Sequence, residues 1–352
     1  MDFREFVLQS KSSIEKRMHE IIDEKEKEFN LKIGAKSDLF ESLREYLFGG
    51  KMLRGSLFLF SARAFGLREN EELLTIACSL EMMHSALLVH DDIMDSDEMR
   101  RGKKTMHAKY RDLGRKTGLK DPKYYGISMG LIIGDIMLFT AEELASYYDK
   151  PYLQKLIRFY SQELRTVGIG QLLDYSYGIK NEEIDYKDLE KMYIYKSARY
   201  SFSLPLVLGA IAAERGENDI KVLDSLGEKI GLIFQLVDDY IGIFGSEKEI
   251  GKPVGSDIRE NKKTIMRNML FDKVDEKTRE SLRKIYGKEH VSAREIEMIK
   301  QYTVYTGVDN DIKALIDNLS EEANALVDSL TVSNDYKNIY KDLIAYNTKR
   351  TF

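Results

Sequence analysis

ENDIKVLDSLGEKIGLIFQLVDDYIGIFG, residues 217–245, is the stretch on which the fold turns. Its apolar residues recur at the helical period and crowd onto most faces, the mark of a helix ringed by other helices. Two adjacent aspartates, Asp238 and Asp239, stand inside that run, where packing alone wants Leu or Val. Outward from it, the stretches 70–95, 124–148 and 151–178 have the same character. Shorter helices are expected at about 37–47, 54–66, 186–199 and 201–214. Phe3, Phe6, Val7, Ile14, Met18, Ile21 and Ile22 make a first amphipathic helix, and the charged segment 262–347 adds several short ones. No stretch alternates with period two between turn residues, so essentially no sheet is expected.

Only 4 prolines in 352 residues favour unbroken helices. No linker rich in Pro, Gly or Ser divides the chain, and 113–123 and 245–263 read as surface loops. The expectation is an all-α protein with a single domain over 1–352, larger than a simple four-helix bundle. A net charge of -5 argues against generic nucleic-acid binding, so any anionic ligand must meet a local cluster of Lys and Arg. The single cysteine, Cys78, excludes an intramolecular disulfide and reads as core packing. The N-terminus is charged throughout, and no run of about eighteen uncharged apolar residues appears. No transmembrane segment is therefore expected, and the cytoplasm is the expected location.

HSALLVHDDIMDSDEMRRG, residues 84–102, is the companion of the opening stretch. On a helix Asp91 and Asp95 share a face, with Asp92 about 100° round from Asp91. Carboxylates crowded at the end of an apolar helix repel one another, and a divalent cation removes that penalty. Oxygen-only ligation favours Mg²⁺, which keeps several waters and takes one or two carboxylates plus substrate phosphates. Either pair alone is equally well read as a solvated helix end. Both, however, are followed by basic segments: Arg100, Arg101, Lys103 and Lys104 after the first, Lys248, Lys252, Arg259, Lys262 and Lys263 after the second. Arg forks and Lys charges are what diphosphate oxygens require. The constellation points to a Mg²⁺–diphosphate site held between two facing helices.

Three weaker features agree. GGKMLRG, 49–55, reads as a phosphate-binding turn with Lys51 and Arg54 supplying charge. Lys196 and Ser197 lie side by side, and Gln235 precedes the second aspartate pair by one helical turn. The five histidines lack zinc spacing, and His84 and His90 by themselves read as ordinary helix residues.

These residues resemble the trans-isoprenyl diphosphate synthases, or polyprenyl synthetases, over a motif-bearing core of about 45–265. GGKMLR is similar to GGKxxR, DDIMD with RRGKKTMH to the first aspartate-rich region, and FQLVDDYIG with GKPVGSDIRENKKT to the second. GD at 134–135, GQLLD at 170–174 and YKSA at 195–198 match further landmarks. The resemblance implies a helical fold with a central cavity, usually in a homodimer, and Mg²⁺-dependent head-to-tail condensation of isopentenyl diphosphate with an allylic diphosphate. It implies that Asp91, Asp92, Asp95 and Asp238 hold Mg²⁺, with Asp239 an auxiliary member. Arg100, Lys196 and Lys252 would grip the allylic diphosphate, with Lys262 a further substrate-binding group. Lys51, Arg54, His84 and Arg101 would bind isopentenyl diphosphate, and Ser197 and Gln235 would face the carbocation.

The sequence departs from the family pattern at Gly242, where a full DDxxD has its third aspartate, and Asp257 is expected to supply that carboxylate indirectly. Residues before the first motif form the floor of the tail pocket in this family. Here they are Met83, Ala86 and Leu87, without an aromatic, which argues for geranylgeranyl diphosphate, with Phe139 as a candidate floor residue from a neighbouring helix. A product of five or more isoprene units is the alternative. A class I terpene cyclase, an HD-type phosphohydrolase and a non-catalytic synthase subunit fit less well. They lack, respectively, a matching second metal motif, enough metal-binding histidines and a reason to keep DDIMD intact.

Overall fold

The computed structural model describes residues 2–29, 35–180, 182–245 and 255–349. The expected helices form as α1 (Phe3–Phe29), α2 (Ala35–Leu47), α3 (Leu53–Ala64), α4 (Glu71–Met94), α5 (Met106–Lys116), α6 (Pro122–Ala145) and α7 (Leu153–Gly178). After α8 (Tyr186–Tyr193) comes a π-helix, Ile194–Ser203, then α9 (Leu204–Ala212) and α10 (Glu217–Phe244). Six more complete the described chain: α11 (Ser256–Arg259), α12 (Ile265–Lys273), α13 (Glu276–Arg283), α14 (Ala293–Tyr305), α15 (Val308–Ser329) and α16 (Asn334–Thr348). The protein is all-α, and among the described residues the one exception is a hairpin whose two-residue strands pair Met99–Arg100 with Lys103–Lys104.

The chain forms two compact units, Met1–Ile157 with Ile211–Glu214, and Arg158–Ala210 with Arg215–Phe352. In the first, α4 is the core helix. Asn70 starts it by accepting the Leu73 N–H at 2.9 Å, and Glu71 and Glu72 in its first turn complement the helix dipole. Its buried residues run from Leu73 to Asp92, and Cys78 lies among them. One face packs closely on α6: Ser79 Oγ donates to the Ala141 carbonyl at 2.6 Å, and His90 Nε2 lies 3.3 Å from the Leu131 carbonyl.

In the second unit α10 is the core helix, and its glycines let the π-helix come into backbone contact. A Cβ at Gly231 would lie 2.3 Å from Ala198 Cα, and one at Gly170 of α7 would lie 2.3 Å from the Lys196 nitrogen. The glycine of GQLLD is therefore a packing requirement at the YKSA segment.

Several expectations change. The sequence separates 186–199 from 201–214, whereas the structure carries one helical run through both, widened to π geometry at 194–203. Such widening is frequent at functional sites. Part of the expected loop 113–123 belongs to α5, whose charge-rich sequence MHAKYRDLGRK hides a buried face of Met106, Ala108 and Tyr110. The expected loop 245–263 contains α11, and α15 is a long helix of 22 residues rather than a short one.

By length and composition α4 and α6 could each cross a bilayer, which the sequence reading does not anticipate. The most apolar window of α4 is 72% buried in the protein, as befits a core helix, whereas that of α6 is only 33% buried. Leu131, Ile132 and Phe139 are exposed on α6. An apolar helix thus keeps an uncovered face.

Candidate active site

In the first unit, Asp91 and Asp92 close the last turn of α4, and Asp95 ends it with its N–H donating to the Asp91 carbonyl at 2.9 Å. The adjacent aspartates have opposite environments. The Asp91 side chain is 24% exposed, that of Asp92 is 0% exposed. Asp92 Oδ2 accepts from the Tyr46 hydroxyl at 2.6 Å, and Oδ1 accepts from Arg100 Nε at 2.5 Å. Arg100 also lies 3.8 Å from Asp91 and 3.7 Å from Asp97, so one guanidinium stands among three carboxylates. Burial works against the Arg100 charge, but Asp92, Tyr46 and Asp91 outweigh it and hold its pKa above the ordinary value. Burial pushes Asp92 up despite Arg100.

The hairpin carries Arg101 at its tip with φ 51°. Its guanidinium rests against Gly50, where a Cβ would meet Nη1 at 3.0 Å. The second glycine of GGKMLRG thus admits the arginine of RRG. The first, Gly49, has φ 110°, a left-handed conformation that favours glycine. Arg101 is depressed by burial and by the Arg100 charge. Burial, followed by Arg54, Arg101 and Arg100, holds His84 well below the usual histidine range, so it is a neutral imidazole at pH 7. A cleft of about 470 Å³ is lined by Tyr46, Gly49, Arg100, Arg101 and Lys103, together with Lys109 and the Glu45 that pairs with it at 2.6 Å.

In the second unit, Lys196 and Ser197 project from the π-helix. Lys196 Nζ bonds Asp174, the aspartate of GQLLD. Ser197 Oγ donates to Gln235 Oε1 at 2.8 Å, and Gln235 Nε2 donates to Asp239 Oδ1 at 2.9 Å. The other Asp239 oxygen accepts from the Tyr193 hydroxyl, whose own oxygen accepts the Ile265 N–H at 3.1 Å. Burial, then the Asp257 charge, pushes Asp239 up to about 8 against the hydrogen bonds from Tyr193 and Gln235. Asp238 is half-exposed. A Cβ at Gly242 would lie 3.1 Å from Asp257 Oδ2, so the Asp257 carboxylate occupies the space where a residue-242 side chain would begin.

With this geometry in place, comparison with known proteins decides the family. The family model described as polyprenyl synthetase matches residues 37–303. The chain belongs to the polyprenyl synthetase family. This polyprenyl synthetase is 30% identical over 285 residues to the geranylgeranyl diphosphate synthase of Sulfolobus acidocaldarius, covering 78% of this chain and 81% of that one. It is 32% identical to the geranylgeranyl pyrophosphate synthase of Geoglobus acetivorans, covering 81% and 82%. The crystal structure of the geranylgeranyl pyrophosphate synthase of Corynebacterium glutamicum, complexed with isoprenyl diphosphate and magnesium, superposes with a TM-score of 0.90 at 27% identity. That match covers 99% of this chain and 100% of the other. The chain is an enzyme, a trans-prenyltransferase.

In this synthetase the expected residues gather in two clusters, one in each unit. Asp91, Arg100, Arg101 and His84 cluster in the first unit with Arg54, whose charge acts on His84. Lys196, Ser197, Gln235 and Asp239 cluster in the second. Asp92 and Asp239, expected among the metal-holding residues, already have both carboxylate oxygens bonded to protein. Lys262, expected to bind substrate, is held by Glu260 at 2.9 Å and faces Asp257 at 3.9 Å. Lys252 and Lys248 lie outside the described residues.

Met83 and Ala86 are fully buried, and Leu87 is half-buried. Ala86, seven residues after Ser79 and four before His90, lies on the face of α4 that packs on α6. Phe139, the candidate floor residue from a neighbouring helix, is 70% exposed on α6.

Sequence reasoning misses three partners, Tyr46, Tyr193 and Glu81, and marks Asp174 only as the end of GQLLD. The buried Glu81 accepts the Gly55 N–H at 2.7 Å at the start of α3, whose preceding residue Met52 offers no side-chain cap. An acid in the apolar run ACSLEMM is the signal that marks it. The tyrosines carry no comparable signal.

Proposed function

We propose that this prenyltransferase uses Mg²⁺ to condense isopentenyl diphosphate head-to-tail with an allylic diphosphate, and that its product is geranylgeranyl diphosphate. The observation that carries the reading is the division of labour within each aspartate pair. One carboxylate is accessible (Asp91, Asp238), and its neighbour is buried and bonded to protein (Asp92, Asp239). The residues fit the metal: the donors are hard oxygens, and the Arg100 guanidinium already places a cation among Asp91, Asp92 and Asp97. Mg²⁺ characteristically takes one or two carboxylates and completes its coordination with waters and substrate phosphates, which the diphosphates would supply.

In the first unit Asp91 and Asp95 would hold Mg²⁺ on the allylic diphosphate. In the second, Asp238 would do so, assisted by Asp257 from the space beside Gly242. Bound Mg²⁺ neutralises charge gathering on the departing pyrophosphate. Arg100 in the first unit and Lys196 in the second would each meet diphosphate oxygens, Lys196 by exchanging Asp174 for them. Lys51, Arg54, His84 and Arg101 hold isopentenyl diphosphate, and its C3–C4 double bond attacks the allylic cation. The proton then leaves to pyrophosphate. Ser197 and Gln235 present dipoles that stabilise the cation without adding to it as strong nucleophiles.

The test is pyrophosphate release with each substrate alone and with both. Release that needs both supports condensation, and release from the allylic diphosphate alone favours a cyclase.

For product length the support is the absence of an aromatic at Met83, Ala86 and Leu87 and the products named for the relatives above. Ala86→Phe is expected to shorten the product, read by chromatography of the dephosphorylated prenols. An unchanged product length removes Ala86 from the pocket. The larger ring overpacks a buried contact by about 1–3 kcal/mol, so thermal unfolding is measured beside it.

We read the enzyme as a cytoplasmic homodimer, with the exposed Leu131, Ile132 and Phe139 of α6 covered by a second copy. Leu131→Glu with Phe139→Glu is expected to halve the sedimenting mass. A double variant that stays dimeric places the interface elsewhere.

A further inference from the structure

Nothing in the reaction as described needs Tyr193, yet it is only 3% exposed and makes two hydrogen bonds at the heart of the second cluster. Its oxygen accepts the Ile265 N–H at the start of α12, which leaves its proton for Asp239 Oδ2. Asp239 then has one free oxygen, Oδ1, and that accepts from Gln235 Nε2 at 2.9 Å. A primary amide has a donor end and an acceptor end. With the NH₂ end fixed on Asp239, the carbonyl oxygen must face the other way, and there it accepts from Ser197 Oγ at 2.8 Å.

Which end points outward decides the sign of the dipole. A carbonyl oxygen stabilises a neighbouring carbocation, whereas an NH₂ turned the same way repels it. We propose that Tyr193 is a positioning residue for the condensation: through Asp239 it fixes Gln235 with its carbonyl oxygen toward Ser197 and the reacting allylic carbon. The inference rests on the proposed role of Gln235 and adds to it the residue that sets its orientation. Ser197 completes the lock from the other side, and the π-helix supplies both Ser197 and the backbone turn that follows Tyr193.

The experiment is a double-mutant cycle on the full chain with Tyr193→Phe and Gln235→Leu. Tyr193→Phe is expected to lower kcat about tenfold, with KM for isopentenyl diphosphate within about twofold. In the Gln235→Leu background the same change is expected to alter kcat by less than about twofold, because there is no longer an amide to orient. Loss of the Ile265 contact lowers the unfolding temperature by a similar amount in both backgrounds, which separates the structural role from the positioning one. An equal fall in kcat in both backgrounds, or no fall in the single variant, overturns the proposal. If Gln235→Leu alone leaves kcat unchanged while Asp91→Ala abolishes it, the positioning inference fails and the reaction stands. A wild-type chain that condenses no substrate fails the reaction itself.

Discussion

Asp91→Ala is expected to lower turnover by about 10²–10³-fold, the scale of removing one preorganised electrostatic group from a transition state. Its thermal stability is expected to stay close to that of the wild type. Asp91 is partly exposed, and Arg100 stands 3.8 Å from it, too far for a hydrogen bond and in reach of solvent screening. A residue that contributes little to folding and much to rate is working on a ligand. Steady-state kinetics and thermal unfolding measured on the same preparation check both halves. A parallel loss of stability and activity contradicts the assignment.

Arg100→Ala is expected to be the more disruptive substitution. It strips the partner from Asp92, whose side chain is 0% exposed, and leaves it only Tyr46. Breaking a buried pair by removing one member destabilises by about 3–5 kcal/mol, because an uncompensated charge stays behind. Denaturant unfolding with chelator present measures this directly. The pH dependence has a fixed sign. Asp92 is already raised above its unfolded pKa by burial, and losing Arg100 raises it further. The folded state then binds the extra proton, so stability is retained below the unfolded carboxylate pKa and falls as pH rises toward the folded value. The deficit relative to wild type is therefore expected to shrink in acid. A deficit that grows in acid contradicts the pairing. The same variant should also raise KM for the allylic diphosphate, because Arg100 is one of its proposed grips.

Much of this was legible from periodicity and motif chemistry. The apolar runs around Cys78 and Val237 mark the two core helices, and DDIMD and LVDDYIG mark the ends that carry chemistry. The sequence could not show that the two members of each pair differ. Asp91 and Asp92 are the same residue type in adjacent positions. Their roles separate only because Tyr46, forty-six residues away, and Arg100 reach the second of them. Asp238 and Asp239 divide in the same way through Tyr193, again forty-six residues distant. A tyrosine on an amphipathic helix has the same pattern whether it packs or anchors, so periodicity is blind to it.

The π geometry at YKSA was hidden for a related reason. The segment packs its backbone against Gly170 and Gly231, and sequence spacing carries no record of which backbone a glycine approaches. Gly242 was recognised as the missing third carboxylate. In the structure Asp257, from another helix, brings Oδ2 to 3.1 Å from where a Cβ at Gly242 would stand.

The central claim is tested most directly by incubating the full chain with Mg²⁺, radiolabelled isopentenyl diphosphate and farnesyl diphosphate, then sizing the dephosphorylated products. The account predicts one dominant labelled prenol one isoprene unit longer than the primer, lost on chelation and restored by Mg²⁺. Absence of labelled product with this and with shorter allylic primers would contradict it.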